Sequence, residues 1–100
     1  MRKLSPIHPG EILKEDFLSP LGLSATSFAK KLSVPTNRIS RILNGSSAIT
    51  AETSILLAKA LRTTPTFWMN LQSRYDLQVA QDKTPSLDHI KPVVAAVLSH

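Results

Sequence analysis

The sequence predicts an all-α domain built from five helices. Three observations predict it. Apolar residues recur at three- and four-residue spacing, no stretch keeps a two-residue alternation, and a capping residue or a proline begins each helix-like segment. The chain has 100 residues, of which 42% are hydrophobic, and this suffices for one small domain with one core. We therefore expect a single domain that carries one functional site.

The first half of the chain contains three predicted helices. Pro9 begins the first helix, because the ring suits the first helical position, and Pro20 ends it. Ser24 caps the second helix, and Pro35 opens the third, which ends at Asn44-Gly45. The apolar side chains on one face of each helix are predicted to be buried. These are Ile12, Leu13, Phe17, Phe28, Ala29, Leu32, Ile39, Ile42 and Leu43.

Two further helices follow in the second half. Thr50 caps the fourth, which buries Leu56, Leu57, Ala60 and Leu61, and Thr64 with Pro65 opens the fifth. We place an N-terminal tail at residues 1–8, the helical domain at 9–80 and a C-terminal tail at 81–100. In the second tail, the apolar run at 93–97 could form a short strand or helix against a partner.

The excess positive charge of the chain lies in its middle. Residues 24–62 contain six Lys and Arg residues and one Glu, whereas the segments before and after them are neutral by count. Such a distribution is typical of a face that binds a polyanion such as nucleic acid. It also fits a solvated basic surface that binds nothing, so the charge alone leaves both interpretations open.

Residues 25–44 have the spacing of a helix-turn-helix motif, in which two short helices cross at a tight turn. Ala29 allows the two helices to approach closely, and Ser33 occupies the turn position where glycine is most common, so the serine would carry a modest strain if this position needs a positive φ. No acidic residue lies between Asp16 and Glu52. The outer face of the second helix carries short hydrogen-bonding side chains and one cation, which suits reading base edges in a major groove. These residues are Thr36, Asn37, Ser40, Arg41 and Asn44.

The sequence contains no motif that is typical of catalysis or of metal or cofactor binding. It has no cysteine and three dispersed histidines, and it lacks a glycine-rich phosphate loop or a nucleophile motif. We therefore expect no catalytic residue, no metal and no cofactor. The apolar runs are too short to span a membrane, and no signal-peptide pattern opens the chain, so we expect a cytoplasmic protein without membrane contact.

Five sequence blocks follow one another over about residues 7–80. They are HPGEIL at 8–13, NRISRILNG at 37–45, AITAET at 48–53, TPTFWMNLQ at 64–72 and YDL at 75–77. In this order they resemble the HigA family of antitoxins, a branch of the lambda-repressor-like (XRE) helix-turn-helix group. The resemblance implies a homodimer that binds operator DNA in its own promoter and neutralises a HigB-type toxin, an mRNA endonuclease of the RelE kind. It does not extend to residues 81–100.

The resemblance also implies roles for individual residues. Bases would be read by Thr36, Asn37, Ser40 and Arg41. Phosphates would be contacted by Ser27, Lys30, Arg38, Asn44, Gly45 and Ser46, through side chains and through backbone N–H groups near the helix ends. In the fifth helix we assign Phe67 and Leu71 to the core. Trp68 and Tyr75 are candidates for a two-fold dimer contact, where aromatic residues are enriched.

Two other functions remain open at this point. A plain helix-turn-helix repressor without a toxin partner would use the same DNA chemistry, so the motif cannot separate it from an antitoxin. A module that only binds proteins is the third interpretation. Salt distinguishes this module from both DNA binders, because DNA affinity falls steeply as the salt concentration rises, whereas an apolar protein contact barely responds.

Overall fold

A computed structural model describes residues 5–94 of the chain. In this part the chain forms five helices and no strand, which confirms the predicted all-α fold. Helix α1 is one continuous helical stretch made of Pro9–Ile12, Leu13–Leu18 and Ser19–Leu21. The others are α2 at Ala25–Leu32, α3 at Thr36–Leu43, α4 at Ala51–Leu61 and α5 at Pro65–Lys83.

Hydroxyl side chains begin three of these helices, as the sequence predicts. Ser24 Oγ accepts the backbone N–H of Ser27 at 3.1 Å, and Ser27 Oγ accepts the N–H of Ser24 at 2.9 Å, which forms a capping box at the start of α2. Thr50 and Thr64 each accept the N–H three residues ahead, at 3.2 and 3.1 Å. Such a cap typically contributes about 1 kcal/mol to the stability of a helix.

Helix α1 continues past Pro20, so the predicted end at this proline is wrong by one residue. Its middle section, Leu13–Leu18, is a π-helix, and the N–H of Ser19 donates to the carbonyl of Lys14, five residues back. Proline lacks an N–H and its ring crowds the turn before it. The wider turn just ahead of Pro20 relieves this crowding, and the helix ends one residue later, before Gly22 at φ 68°.

The core lies where the five helices meet. Its members include Leu13, Phe28, Ile39, Leu57 and Trp68, each at most 1% exposed. The α2–α3 pair and the α4–α5 pair make the most extensive helix contacts. Burial differs from the prediction on α4, where Ala58 is buried and Ala60 is exposed. The core therefore holds the inner face of α3 and leaves the opposite face exposed to solvent.

The helical part extends slightly beyond the predicted boundary at residue 80, because α5 runs to Lys83. All of residues 84–94 are exposed. Residues 1–4 of the predicted N-terminal tail lie outside the described residues, as does most of the apolar run at 93–97. None of the helices within residues 5–94 combines the length and the apolar composition that crossing a bilayer requires.

Candidate nucleic-acid interface

The outer face of α3 carries the predicted base-reading residues. Ile39 and Ile42 are 1% and 2% exposed and fix the inner face of the helix against the core. Asn37 and Arg41 are exposed and stand one turn apart, so their side chains lie on one stripe of the helix. Thr36 and Ser40 are partly buried beside this stripe. The four predicted residues are thus brought to one side of a single helix.

A shallow depression of about 450 Å³ lies between α3 and the start of α4. Its walls combine amide, hydroxyl and guanidinium groups that can donate hydrogen bonds to an anion or to a base edge. It is lined by Pro35, Asn37, Arg38, Arg41, Ile42, Ser47, Ala48, Thr50 and Thr53.

Arg38 is engaged by α4. Its Nη2 donates to Glu52 Oε1 and to Thr53 Oγ1, both at 2.8 Å. The Glu52 side chain is 77% exposed, and an ion pair of this kind is worth about 0–1 kcal/mol. The predicted phosphate contact of Arg38 must therefore use its other donors or compete with Glu52 for Nη2.

The turn after α3 corrects part of the predicted phosphate site. The N–H of Gly45 donates to the carbonyl of Ile42 at 3.1 Å, and the N–H of Ser46 donates to the carbonyl of Arg41 at 2.8 Å and to Asn44 Oδ1 at 2.9 Å. These N–H groups close the helix end, so they are not free for the contact to phosphate that the sequence analysis assigns to them. Gly45 adopts φ 83°, so this glycine serves the turn. The Ser46 hydroxyl also donates to Asn44 Oδ1, so the exposed Asn44 side chain keeps its amide N–H donors for phosphate, whereas the Ser46 hydroxyl is engaged.

Ser27 and Lys30 differ in how free their side chains are. Ser27 Oγ is partly buried, accepts the N–H of Ser24 and donates to its carbonyl at 3.1 Å, so the hydroxyl mainly caps α2. Lys30 is exposed on the same helix. Its exposed side chain can make the predicted contact to phosphate.

Not all of the central positive charge belongs to this face. Lys59 and Arg62 lie at the far end of α4, about 15 Å along the helix axis from its first residue. The cations on α2 and α3 are Lys30, Lys31, Arg38 and Arg41. The charge count of residues 24–62 therefore overstates the charge next to the α3 stripe.

The aromatic residues of α5 are arranged differently from the prediction. Trp68 is 0% exposed, and its Nε1 donates to Thr63 Oγ1 at 2.7 Å. The indole is thus enclosed within one chain and offers no surface to a partner, so the prediction of a dimer contact at Trp68 is wrong. Phe67, which we assigned to the core, is 38% exposed. Tyr75 is partly buried, with its ring edge-on to His8 at 4.9 Å.

Two contacts near the interface were not predicted from the sequence. Gln72 is 5% exposed, and its Oε1 accepts the N–H of Ile49 at 2.8 Å, which ties the α3–α4 loop to α5. His8 caps α1 and packs beside the same loop. A possible signal was Gly10, because a glycine in the first turn of a helix lowers its stability and calls for a packing reason.

The two crossed helices and the exposed polar stripe on the second define a helix-turn-helix DNA-binding protein. The helix-turn-helix family HTH_3 matches residues 13–68. The chain belongs to this family and to its HigA-type antitoxins, which are DNA-binding regulators of the XRE kind and not an enzyme family.

Three comparisons illustrate this relationship. A HigA-family addiction module antidote protein from Coxiella burnetii is 51% identical, with a TM-score of 0.76 over 80% of this chain and 87% of that one. The Pseudomonas aeruginosa antitoxin HigA, solved with the higBA promoter, is 35% identical, with a TM-score of 0.82 over 89% and 99%. An uncharacterized HTH-type transcriptional regulator from Haemophilus influenzae is 43% identical over 94% of this chain and 91% of that protein.

Proposed function

We propose that this protein is the antitoxin of a type II toxin-antitoxin module. It binds operator DNA as a homodimer in the cytoplasm, represses its own promoter and neutralises a RelE/HigB-like mRNA endonuclease. The observation that carries the DNA-binding part is the exposed stripe of α3, which contains Asn37 and Arg41 and no carboxylate. The likeness to the P. aeruginosa HigA solved with promoter DNA supports the same part.

In this proposal α3 lies in the major groove. Asn37 and Arg41 read base edges, since an amide pairs with adenine and a guanidinium with guanine, and the hydroxyls of Thr36 and Ser40 assist them. Lys30 and the side-chain amide of Asn44 hold phosphates, which fixes the register of the helix, and the Ser46 hydroxyl orients that amide by donating to its oxygen. Ser27 and Gly45 contribute indirectly, through the cap of α2 and the turn after α3.

A dimer is required because one recognition helix reads only a few base pairs, and two copies about one helical turn apart read a palindrome. Trp68 cannot supply the contact. We place the dimer contact on the outer face of α5, where Leu77 is 59% exposed. This face forms a shallow depression of about 640 Å³ with one charged residue, lined by Asn70, Ser73, Arg74, Leu77, Gln78 and Gln81. Tyr75 lines a neighbouring depression that shares Arg74 and Gln78 with this one.

The dimer contact can be tested by placing a charge on this face. Leu77→Glu should lower the mass measured by sedimentation to that of a monomer at micromolar concentration and weaken operator binding. Leu87→Glu is the matched control, because Leu87 is similarly exposed at 53% but lies after α5. An unchanged mass for Leu77→Glu would show that the copies meet elsewhere.

DNA binding is tested by fluorescence anisotropy with the region upstream of the gene and with a shuffled duplex of equal composition. We expect the upstream duplex to bind more tightly and the affinity to fall steeply with salt. Equal affinity for both duplexes at low ionic strength would contradict the proposal. A protein partner whose binding resists salt, together with no DNA binding, would favour the protein-interaction module.

The toxin-neutralising part depends on the similarity to HigA proteins. Co-expression with the short reading frame beside this gene tests it, since the antitoxin should relieve that neighbour's toxicity. The second candidate function is a helix-turn-helix repressor without a toxin, which the similarity to the H. influenzae regulator favours. A harmless neighbour would establish this second function.

A further inference from the structure

A second depression, of about 230 Å³, borders the α3 stripe on the side opposite to Arg38. Around the helix axis, Ser40 lies about 100° from Arg41 in one direction and Arg38 lies about 60° from it in the other. The stripe is thus flanked by α4 on one side and by α1 and α2 on the other. The depression on the second side is lined by Lys14, Ala25, Ser40, Leu43 and Asn44.

The position of Lys14 follows from a close approach of α1 to α3. A Cβ added to Gly10 would lie 1.7 Å from the carbonyl oxygen of Ile42, so the first turn of α1 touches the backbone at the end of α3, where only glycine fits. Lys14 follows Gly10 by four residues and therefore lies on the same face of α1, one turn further on. This packing brings a lysine from outside the helix-turn-helix motif to the edge of the recognition helix.

The ammonium group of Lys14 is available to a ligand. The residue is exposed, and within residues 5–94 its side chain takes part in no ion pair or hydrogen bond. Glu11, Glu15 and Asp16 are exposed on the same helix, but none of the carboxylates in this part of the chain lines the depression. An anion in the depression would therefore meet a positive charge without a negative one beside it.

Asn44 brings a second kind of donor to the same depression. Its Oδ1 accepts the backbone N–H of Ser46 at 2.9 Å and also the Ser46 hydroxyl. With the oxygen engaged in this way, the amide N–H groups are the part of the side chain left for a ligand. An ammonium group and an amide NH₂ both donate hydrogen bonds, and this combination suits the oxygens of a phosphate diester.

We propose that Lys14 contacts a DNA phosphate on the α1 side of the recognition helix, next to the phosphate contact of Asn44. A helix that lies in the major groove has a phosphate backbone on either side, and Lys14 and Arg38 stand on opposite flanks of the α3 stripe. The inference rests on the proposed DNA-binding function and deepens it. It adds to the interface a residue of α1, which belongs to a segment that is neutral by count.

The test measures fluorescence anisotropy of the upstream and shuffled duplexes over a range of salt concentrations. Lys14→Gln should weaken binding of both duplexes about fivefold at low salt. It should also reduce the slope of log affinity against log salt by about 0.9, the share of one phosphate contact. Lys59→Gln is the matched control, because it removes the same charge from an exposed lysine near the far end of α4. We expect this control to keep the wild-type slope.

A second measurement locates the contact on the DNA. Single phosphates of the upstream duplex are replaced, one at a time, by a neutral methylphosphonate. At one position in each half-site the replacement should weaken the wild type but not Lys14→Gln, because the same contact cannot be lost twice.

If no methylphosphonate position behaves in this way, or if Lys14→Gln and Lys59→Gln have equal salt slopes, the inference is overturned while the proposed function stands. If the wild-type chain binds neither duplex at low salt, the proposed function and the role of Lys14 both fail.

Discussion

In α3 the buried Ile39 and Ile42 lie one turn apart on one face, as their spacing predicts, whereas α5 buries Trp68 completely and exposes the adjacent Phe67, which the sequence analysis assigned to the core. Helices α2 and α3 have eight residues each and pack mainly against each other. Helix α5 has 19 residues, packs against α1 and α4 near its start and projects beyond them. A short helix that packs mainly against one other helix can be oriented from its apolar spacing, but a long helix that contacts two others along only part of its length cannot.

The largest expected effect lies on α5. Trp68→Ala should lower the free energy of unfolding by about 3–5 kcal/mol, because it empties a fully buried site. Phe67→Ala is the control and should cost about 1 kcal/mol or less, since this ring is partly exposed. Chemical denaturation measures both, with Trp68→Phe as a milder variant if Trp68→Ala does not fold. Equal losses in the free energy of unfolding for Trp68→Ala and Phe67→Ala would contradict the difference in burial between the two positions.

The next largest effect is on DNA binding by the helix-turn-helix motif. Arg41→Ala should weaken operator binding by about 1–3 kcal/mol and relax base preference at one position of each half-site, because a guanidinium pairs with guanine in a bidentate manner. Lys30→Ala should weaken all duplexes alike. Anisotropy with single-base operator variants separates the two. If Arg41→Ala lowered the affinity for operator and shuffled DNA equally, Arg41 would contact phosphate and not a base.

A smaller effect should come from the ion pair between α3 and α4. Glu52→Gln should release Arg38 for phosphate and raise affinity for random DNA about threefold, with about 0–1 kcal/mol lost in stability. Glu15→Gln on α1 removes the same charge at an exposed position away from the α3 stripe and serves as the control. Equal gains from both variants would mean that net charge, and not Arg38, sets the affinity.

An effect of similar size concerns the turn of the motif. Ser33 adopts φ 58°. Ser33→Gly should therefore raise the free energy of unfolding by about 0.5–1 kcal/mol, which is measured as a higher melting temperature. Gly22 adopts φ 68° with nothing within 4 Å of an added Cβ, so Gly22→Ala should cost a similar amount. No gain from Ser33→Gly would show that the serine side chain offsets its own strain.

Much of the fold was predictable, because its determinants are local. Ser24, Thr50 and Thr64 cap helices through bonds that span three residues. The α3 face follows from the spacing of Ile39 and Ile42 against Asn37 and Arg41. The site was predicted less completely. Whether a donor is free depends on neighbours distant in sequence, as Arg38 shows by its bonds to Glu52 and Thr53.

The sequence by itself determined the all-α class, the helix starts and the polar stripe of the recognition helix, since each depends on residues within about one turn of one another. Only the tertiary structure decided that Trp68 is core, that the N–H groups of Gly45 and Ser46 are occupied, and that His8 meets Tyr75 and the loop after α3. These contacts join helices far apart along the chain. Their geometry is set by how five helices pack around one core, which local periodicity does not encode.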